Sequence, residues 1–165
     1  IDSQVLLVTT SPALVQEVLL KMQSQMELLP RKDIAAKALE NSRAIVFTSM
    51  EEAMRLVNAY AAEHLIIASD EAEKWGREVT NAGSVFLGHY TPESVGDYAS
   101  GTNHTLPTNG YARAYSGVSV DSFVKKITFQ QLSRSGLKSL MPAVTAMAEH
   151  EGLRAHAEAV RIRFV

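Results

Sequence analysis

The chain of 165 residues contains no cysteine and a single tryptophan. The absence of cysteine excludes disulfide bonds, thiolate zinc sites and cysteine nucleophiles, so histidine and carboxylate side chains remain as its strong metal ligands. An excess of charge of one sign is also missing, because 16 basic and 18 acidic residues give a formal net charge of -2. Charge therefore indicates neither a nucleic-acid partner nor an anionic membrane, and it favours a small molecule or a protein as partner.

Long apolar runs are missing too. None reaches the roughly 18 residues of a membrane-spanning helix, and no basic and apolar leader opens the sequence. We therefore expect a soluble, cytoplasmic protein without a membrane partner. Hydrophobic residues still make up 46% of the chain, and a chain of this length buries about 70% of its unfolded surface, which is enough for a core. The start without methionine, directly before an apolar strand, indicates a fragment of a longer protein.

The first part of the sequence alternates apolar runs with segments of helical spacing. Strands are predicted at SQVLLVT, RAIVFT, HLIIAS and SVFLG, and helices at residues 12–29, 33–40, 49–61 and 70–81. Such alternation predicts a parallel sheet with helices on both faces. From residue 121 onward the pattern predicts a brief extended ITF, a long helix over 130–150 and a last helix over 153–162. These last helices are interpreted as a small helical appendage.

Glu63 and His64 stand together at the start of the predicted strand HLIIAS. An adjacent carboxylate and imidazole can divide proton transfers between them. A capping glutamate beside a half-buried histidine gives the same pattern. The spacing alone leaves both interpretations open.

The stretch GDYASGTNHTLPT, residues 96–108, holds more polar chemistry than a surface loop requires. Asp97 follows a glycine, so its short carboxylate can approach a metal or a substrate amine closely. A turn or helix-capping aspartate is the alternative. His104 follows SGTN and is presented from a tight turn, or it is a surface histidine without a function.

Glu151 and His156 lie on either side of Gly152 near the end of the sequence. A glycine there can end the long helix and redirect the chain, so that both side chains face one site. Two solvated helix residues are the alternative. The sequence shows no glycine-rich phosphate loop and no G-x-S-x-G elbow. Spacing alone therefore supports an α/β domain with a possible histidine and carboxylate site.

Five segments together resemble one known family. AEHLII, NAGSVFLG, TPESVGDYASGTNHTLPT, GYARAYSGVS and EGLRAHAEAVRIR are similar, in order and spacing, to the C-terminal part of histidinol dehydrogenase. The resemblance implies a zinc-dependent enzyme of histidine biosynthesis that oxidises L-histidinol through L-histidinaldehyde to L-histidine and uses NAD twice. It also implies an incomplete Rossmann-like parallel sheet in a composite catalytic domain over residues 1–118, followed by the helical appendage over 119–165.

The same resemblance implies a role for each candidate residue. His64 would be the base of both oxidations, and Glu63 would activate the water that attacks the aldehyde. Asp97 and His156 would bind zinc. The substrate contacts would come from His64, Asp97, Tyr98, His104, Glu151 and His156. Because the appendage of the family reaches the site of the partner subunit, a homodimer with shared sites is implied.

Two departures from the family matter. Ala62 stands where the family usually has proline before the catalytic pair, a change that affects loop stiffness more than chemistry. The family also supplies a glutamine and a histidine as further zinc ligands, and most of its NAD-contacting region, from a segment upstream of this chain. We therefore expect this chain alone to be inactive. A non-catalytic zinc-binding or dimerising module of the same family is the alternative, and a plastid location is not excluded.

Overall fold

The computed structural model describes residues 3–165. The chain divides into two compact units, of which the first reaches to Phe123 and the second is Val124–Val165. Strands and helices make up the first unit, whereas the second is helical. The mixed α/β class predicted from the alternating pattern is confirmed.

Two parallel strand pairs form the small sheets of the first unit. In the first pair β1 aligns Leu6 with Arg43 of β2, and in the second β3 aligns His64 with Ser84 of β4. A helical connection between paired strands allows this parallel arrangement. The strands are β1 (Leu6–Thr9), β2 (Arg43–Val46), β3 (His64–Ile67) and β4 (Ser84–Leu87).

Among the described residues of the first unit there are five α-helices, and serine caps begin two of them. Ser11 accepts a hydrogen bond from the amide of Leu14 at 3.2 Å, and Ser49 accepts one from Glu52 at 3.2 Å. These caps satisfy amides that have no partner within the helix. The helices are α1 (Pro12–Met26), α2 (Lys32–Glu40), α3 (Met50–Tyr60), α4 (Ala72–Gly76) and α5 (Glu93–Tyr98).

The helix predicted over 70–81 is wrong in its extent, because α4 ends at Gly76. The side chain of Asn58 holds the residues that follow. Its amide nitrogen donates to the carbonyl of Glu78 at 2.8 Å, and its oxygen accepts from the amide of Thr80 at 2.8 Å. These contacts with α3 replace the helical hydrogen bonds that a local pattern predicts.

The core of the first unit lies between α3, α4 and β3. Its buried members are joined by partly buried side chains that include Leu65 of β3 and Val57 of α3. This packing fixes β3, the strand that begins at His64. The buried cluster consists of Met54, Ile67, Ala72 and Trp75.

The second unit pairs α6 (Arg134–His150) with α7 (Arg154–Arg161). Helix α6 begins later than predicted, because Ser133 caps it by accepting from the amide of Gly136 at 3.0 Å. The segment ITF forms no strand. Gly152, with φ of 75°, ends α6 in the left-handed region as predicted. Arg161 binds Glu158 at 2.8 Å and Glu149 at 2.5 Å, and these hydrogen bonds raise the pKa of the Arg161 side chain.

Candidate functional site

The chain turns sharply before the pair Glu63 and His64. Ala61 ends α3 in the left-handed region with φ of 56°, and its amide donates to the carbonyl of Val57 at 3.0 Å. Ala61 is 1% exposed, so packing holds this uncommon conformation in place. The turn sets the direction in which Glu63 and His64 enter β3.

Backbone hydrogen bonds then hold Glu63 against the start of β4. The amide of Gly83 donates to the carbonyl of Ala62 at 2.9 Å, and that of Ser84 donates to the carbonyl of Glu63 at 2.9 Å. A Cβ atom at Gly83 would lie 2.6 Å from the carbonyl oxygen of Glu63. Only glycine allows this approach, so Gly83 determines how closely β4 supports the Glu63 backbone.

Gly83→Ala is therefore expected to lower the free energy of unfolding by about 1–3 kcal/mol, the usual cost of forcing an extra methyl group into a packed place. The new methyl group would lie 2.6 Å from the carbonyl oxygen of Glu63, a backbone atom that cannot move aside as the end of a flexible side chain can. Urea titration of the full-length protein measures the change. Ser84→Ala is the control, because it shortens a neighbouring side chain without adding a contact. Equal stability of both variants would contradict the close approach.

Helix α5 carries two carboxylates on one face. Glu93 and Asp97 are four residues apart, so their side chains lie one above the other. Gly96 is buried, and a Cβ atom there would lie 2.7 Å from the ring of Phe86 in β4. The helix therefore rests directly on the Phe86 ring, whose centroid is 6.0 Å from that of His64. Gly96 is required by this close contact, which brings both carboxylates to His64.

His64 lies between two carboxylates. Its Nε2 is 3.6 Å from Oε1 of Glu93, and its Nδ1 is 4.0 Å from Oε1 of Glu63. The His64 side chain is 25% exposed and each glutamate side chain is 39% exposed. Nε2 itself is buried and has no hydrogen-bond partner within residues 3–165. The imidazole is thus enclosed but reachable by a substrate or a water at its rim.

Asp97 joins the same cluster. One ligand atom from each of His64, Glu93 and Asp97 lies within 4.8 Å of the others. A nitrogen and two carboxylate oxygens at such distances are a donor set that zinc accepts. The cluster can therefore support metal binding, proton transfer, or both.

Tyr98 and His104 lie in the same unit but at its surface. Tyr98 ends α5 and is 87% exposed, and His104 is exposed in the loop that follows. Thr102 fixes this loop to α5, since its hydroxyl donates to the carbonyl of Gly96 at 3.1 Å. The predicted substrate contacts of Tyr98 and His104 stay predictions.

Glu151 and His156 belong to the second unit, where both are exposed. Glu151 follows the last residue of α6, and its amide donates to the carbonyl of Met147 at 3.0 Å. His156 lies in α7, and its amide donates to the carbonyl of Leu153 at 2.9 Å. Their predicted contacts with substrate and zinc stay predictions.

Glu93 is the member of the cluster that the sequence analysis missed. The signal was present as the spacing Glu93-x-x-x-Asp97 directly after Pro92, a residue that commonly precedes a helix. A helix predicted over residues 93–98 would reveal it. Glu93 lies before the polar stretch of residues 96–108, and no helix is predicted there, so the face that it shares with Asp97 is not apparent from that stretch.

The family model described as histidinol dehydrogenase matches residues 1–164. The chain belongs to the histidinol dehydrogenase family. Histidinol dehydrogenase of Bacteroides thetaiotaomicron is 56% identical over 163 residues, which cover 99% of this chain and 38% of the relative. The chloroplastic histidinol dehydrogenase of Oryza sativa is 55% identical over 163 residues, which cover 98% of this chain and 34% of the relative.

A crystal structure of histidinol dehydrogenase from Elizabethkingia anophelis superimposes on the chain with a TM-score of 0.90 at 53% identity, covering 99% of this chain and 38% of that one. The predicted family is thus confirmed, and the chain spans well under half the length of these histidinol dehydrogenases. That the matched stretch is their C-terminal part stays a prediction. Within residues 3–165, no helix combines the length and apolar character needed to cross a membrane.

Proposed function

We propose that the full-length protein containing this chain oxidises L-histidinol through L-histidinaldehyde to L-histidine, as a zinc-dependent and NAD-linked enzyme of histidine biosynthesis. Membership in the histidinol dehydrogenase family supports the reaction class. The observation that carries the proposal is the convergence of Glu63, His64 and Asp97 in one partly enclosed cluster.

In the first oxidation His64 acts as the general base. It takes the hydroxyl proton of L-histidinol while the carbon that carries this hydroxyl loses a hydride. The product is the aldehyde. An imidazole suits this role because it gives and takes protons near neutral pH. When bound, NAD would supply the hydride acceptor for each oxidation, and zinc would supply a cation that holds and orients the imidazole and amine of the substrate.

Before the second oxidation Glu63 takes a proton from water, whose oxygen adds to the aldehyde carbon. The aldehyde oxygen takes the proton that His64 received in the first oxidation, which gives the hydrate and returns His64 to its neutral form. The partly exposed carboxylate of Glu63 can reach such a water, since 39% of its side chain is exposed. His64 then takes a hydroxyl proton of the hydrate while the carbon loses its second hydride. The product is the carboxylic acid of L-histidine, and each of the two proton acceptors has a separate task.

The donor set supports a zinc ligand at Asp97. Its carboxylate lies beside an imidazole and a second carboxylate on rigid elements, and zinc takes nitrogen and oxygen ligands. We propose Asp97 and His156 as ligands from this chain. Tyr98, His104 and Glu151 would contact the substrate. The remaining zinc ligands and the NAD contacts would come from other parts of the protein, which is why the chain alone is expected to be inactive.

The proposal includes a homodimer in which the helical appendage, residues 119–165, completes the site of the partner subunit. Residues 1–118 would contribute to a composite catalytic domain. We propose a cytoplasmic location, and for a plant protein a plastid is the other possibility, since the rice relative is named chloroplastic.

Purified full-length protein is expected to reduce two NAD for each L-histidinol, measured as NADH absorbance. His64→Asn is expected to lower the rate by about 10²- to 10⁴-fold, the usual contribution of a general base. His89→Asn is the matched control, because His89 is an exposed histidine whose Nε2 lies 3.1 Å from Oδ1 of Asp70, outside the cluster. Absence of turnover in the wild-type protein would favour the non-catalytic module instead.

A further inference from the structure

The buried nitrogen of His64 has no role in the proposed chemistry. Nε2 is enclosed and has no hydrogen-bond partner within the described residues. A buried polar atom without a partner is costly and calls for an explanation. The acidic group facing it is Glu93, whose Oε1 lies 3.6 Å away.

We propose that Glu93 is a positioning residue for His64. Its carboxylate accepts a hydrogen bond from Nε2–H, which keeps Nδ1 as the nitrogen that takes protons from the substrate. Nδ1 is the nitrogen that faces Glu63. The two proton acceptors, Nδ1 and the Glu63 carboxylate, then lie on the same side of the imidazole ring. This inference rests on the proposed function and adds a residue to it.

Contacts around Glu93 hold the backbone of α5 beside β4 and His64. The hydroxyl of Thr91 donates to the carbonyl of Leu87 at 2.6 Å, which ties the start of α5 to the end of β4. Gly96 lets the helix rest on the Phe86 ring, as described above. His64 is fixed by β3, which pairs directly with β4. Both side chains of the proposed pair thus extend from elements anchored to one another.

The distance of 3.6 Å is a few tenths of an ångström longer than an N–H···O hydrogen bond. Hydrogen bonds of catalytic groups are often long without substrate and shorten when it binds. A histidine base whose second nitrogen is held by a carboxylate keeps one tautomer and one ring orientation. Without Glu93, the His64 ring could rotate, and its two nitrogens could exchange positions.

A different role for Glu93 would be that of a metal ligand, because its carboxylate also lies near Asp97. The two roles predict different zinc contents. A ligand holds zinc directly, so its loss releases the metal, whereas a residue that acts through His64 leaves the zinc content unchanged. The test must therefore measure zinc as well as rate.

The experiment compares Glu93→Ala and Glu93→Gln in the full-length enzyme with Glu73→Gln, a change at an exposed glutamate whose side chain is 87% exposed. Glu93→Ala is expected to lower kcat by about 10- to 100-fold, the usual effect of losing the partner that orients a functional histidine. KM for L-histidinol and zinc per subunit should stay near the wild-type values. Glu93→Gln should recover most of the loss, because its carbonyl oxygen still accepts a hydrogen bond. Glu73→Gln should resemble the wild-type enzyme in all three measurements.

A spectroscopic measurement separates this inference from the proposed function. In protein labelled with ¹⁵N-histidine, the His64 ring signals should show the Nε2–H tautomer in the wild type and a change of tautomer population in Glu93→Ala, with or without turnover. Absence of turnover with that signature would overturn the proposed function alone.

Three results would overturn the role of Glu93. They are a kcat of Glu93→Ala equal to wild type, zinc loss matching that of Asp97→Ala, or a rise in KM without a fall in kcat. If Glu93→Ala does not fold, the tautomer signals and zinc content of Glu93→Gln decide between the two roles. A wild-type tautomer and zinc content in that variant would support positioning, and loss of either would contradict it.

Discussion

Glu63→Gln in the full-length enzyme is expected to slow the oxidation of L-histidinaldehyde by about 10²- to 10⁴-fold, the range of a lost general base. The amide keeps the shape of the side chain but cannot take a proton from water. Oxidation of L-histidinol should fall less, because in the proposed reaction its hydroxyl proton goes to His64. Single-turnover NADH formation, started separately from the alcohol and the aldehyde, measures the two steps.

The geometry around Glu63 supports this division of labour. Glu63 Oε1 lies 4.0 Å from Nδ1 of His64 and its side chain is 39% exposed, so a water can reach the carboxylate. Glu51→Gln is the control, because Glu51 is an exposed glutamate of α3. Equal losses in both steps for Glu63→Gln would mean that Glu63 only orients His64, and the separate roles would be wrong.

Local chemistry explains which elements the sequence predicts well. The start of α1 at Pro12, which Ser11 caps, and the end of α6 before Gly152 depend on neighbouring residues only, and both lie where the sequence predicts them. The helix predicted over 70–81 is shorter because Asn58, about twenty residues earlier, holds residues 78–81 by side-chain hydrogen bonds. Such a contact exists only after α3 and the segment that follows α4 have come together.

The difference between neighbouring residues and contacts made only by folding also explains which parts of the site the sequence predicts. Glu63 and His64 are adjacent in sequence, so their proximity could be predicted from the chain. The approach of Asp97 and Glu93 to His64 depends on α5 resting on Phe86, which in turn depends on Gly96 having no side chain. A polar stretch with glycine is typical of a loop, and nothing local shows that this glycine serves close packing.

The separation of Asp97 and His156 between two compact units raises a different question, namely which subunit provides each residue. Ala157 is 0% exposed in the second unit, whereas its neighbour in α7, His156, is exposed. A surface histidine on a short helix can complete a site only where that surface meets another part of the assembly. In the proposed homodimer, that part would be the partner subunit.

Mixing the Asp97→Ala enzyme with the His156→Ala enzyme is therefore expected to restore activity that neither variant has alone. In a mixed dimer, one site receives the intact Asp97 from one subunit and the intact His156 from the other, while the second site lacks both. After full exchange about half of the dimers are mixed, so activity should approach about a quarter of the wild-type value.

The control mixes Asp97→Ala with the double variant Asp97→Ala/His156→Ala, a combination in which no site regains Asp97. Native mass spectrometry of subunits that differ in isotope labelling shows whether exchange has occurred. Zinc per dimer should rise together with activity in the complementing mixture, because the restored site regains both of the proposed ligands, Asp97 and His156. Complete exchange with activity and zinc at the level of the separate variants would mean that Asp97 and His156 serve the same subunit's site, or that one of them is not a ligand.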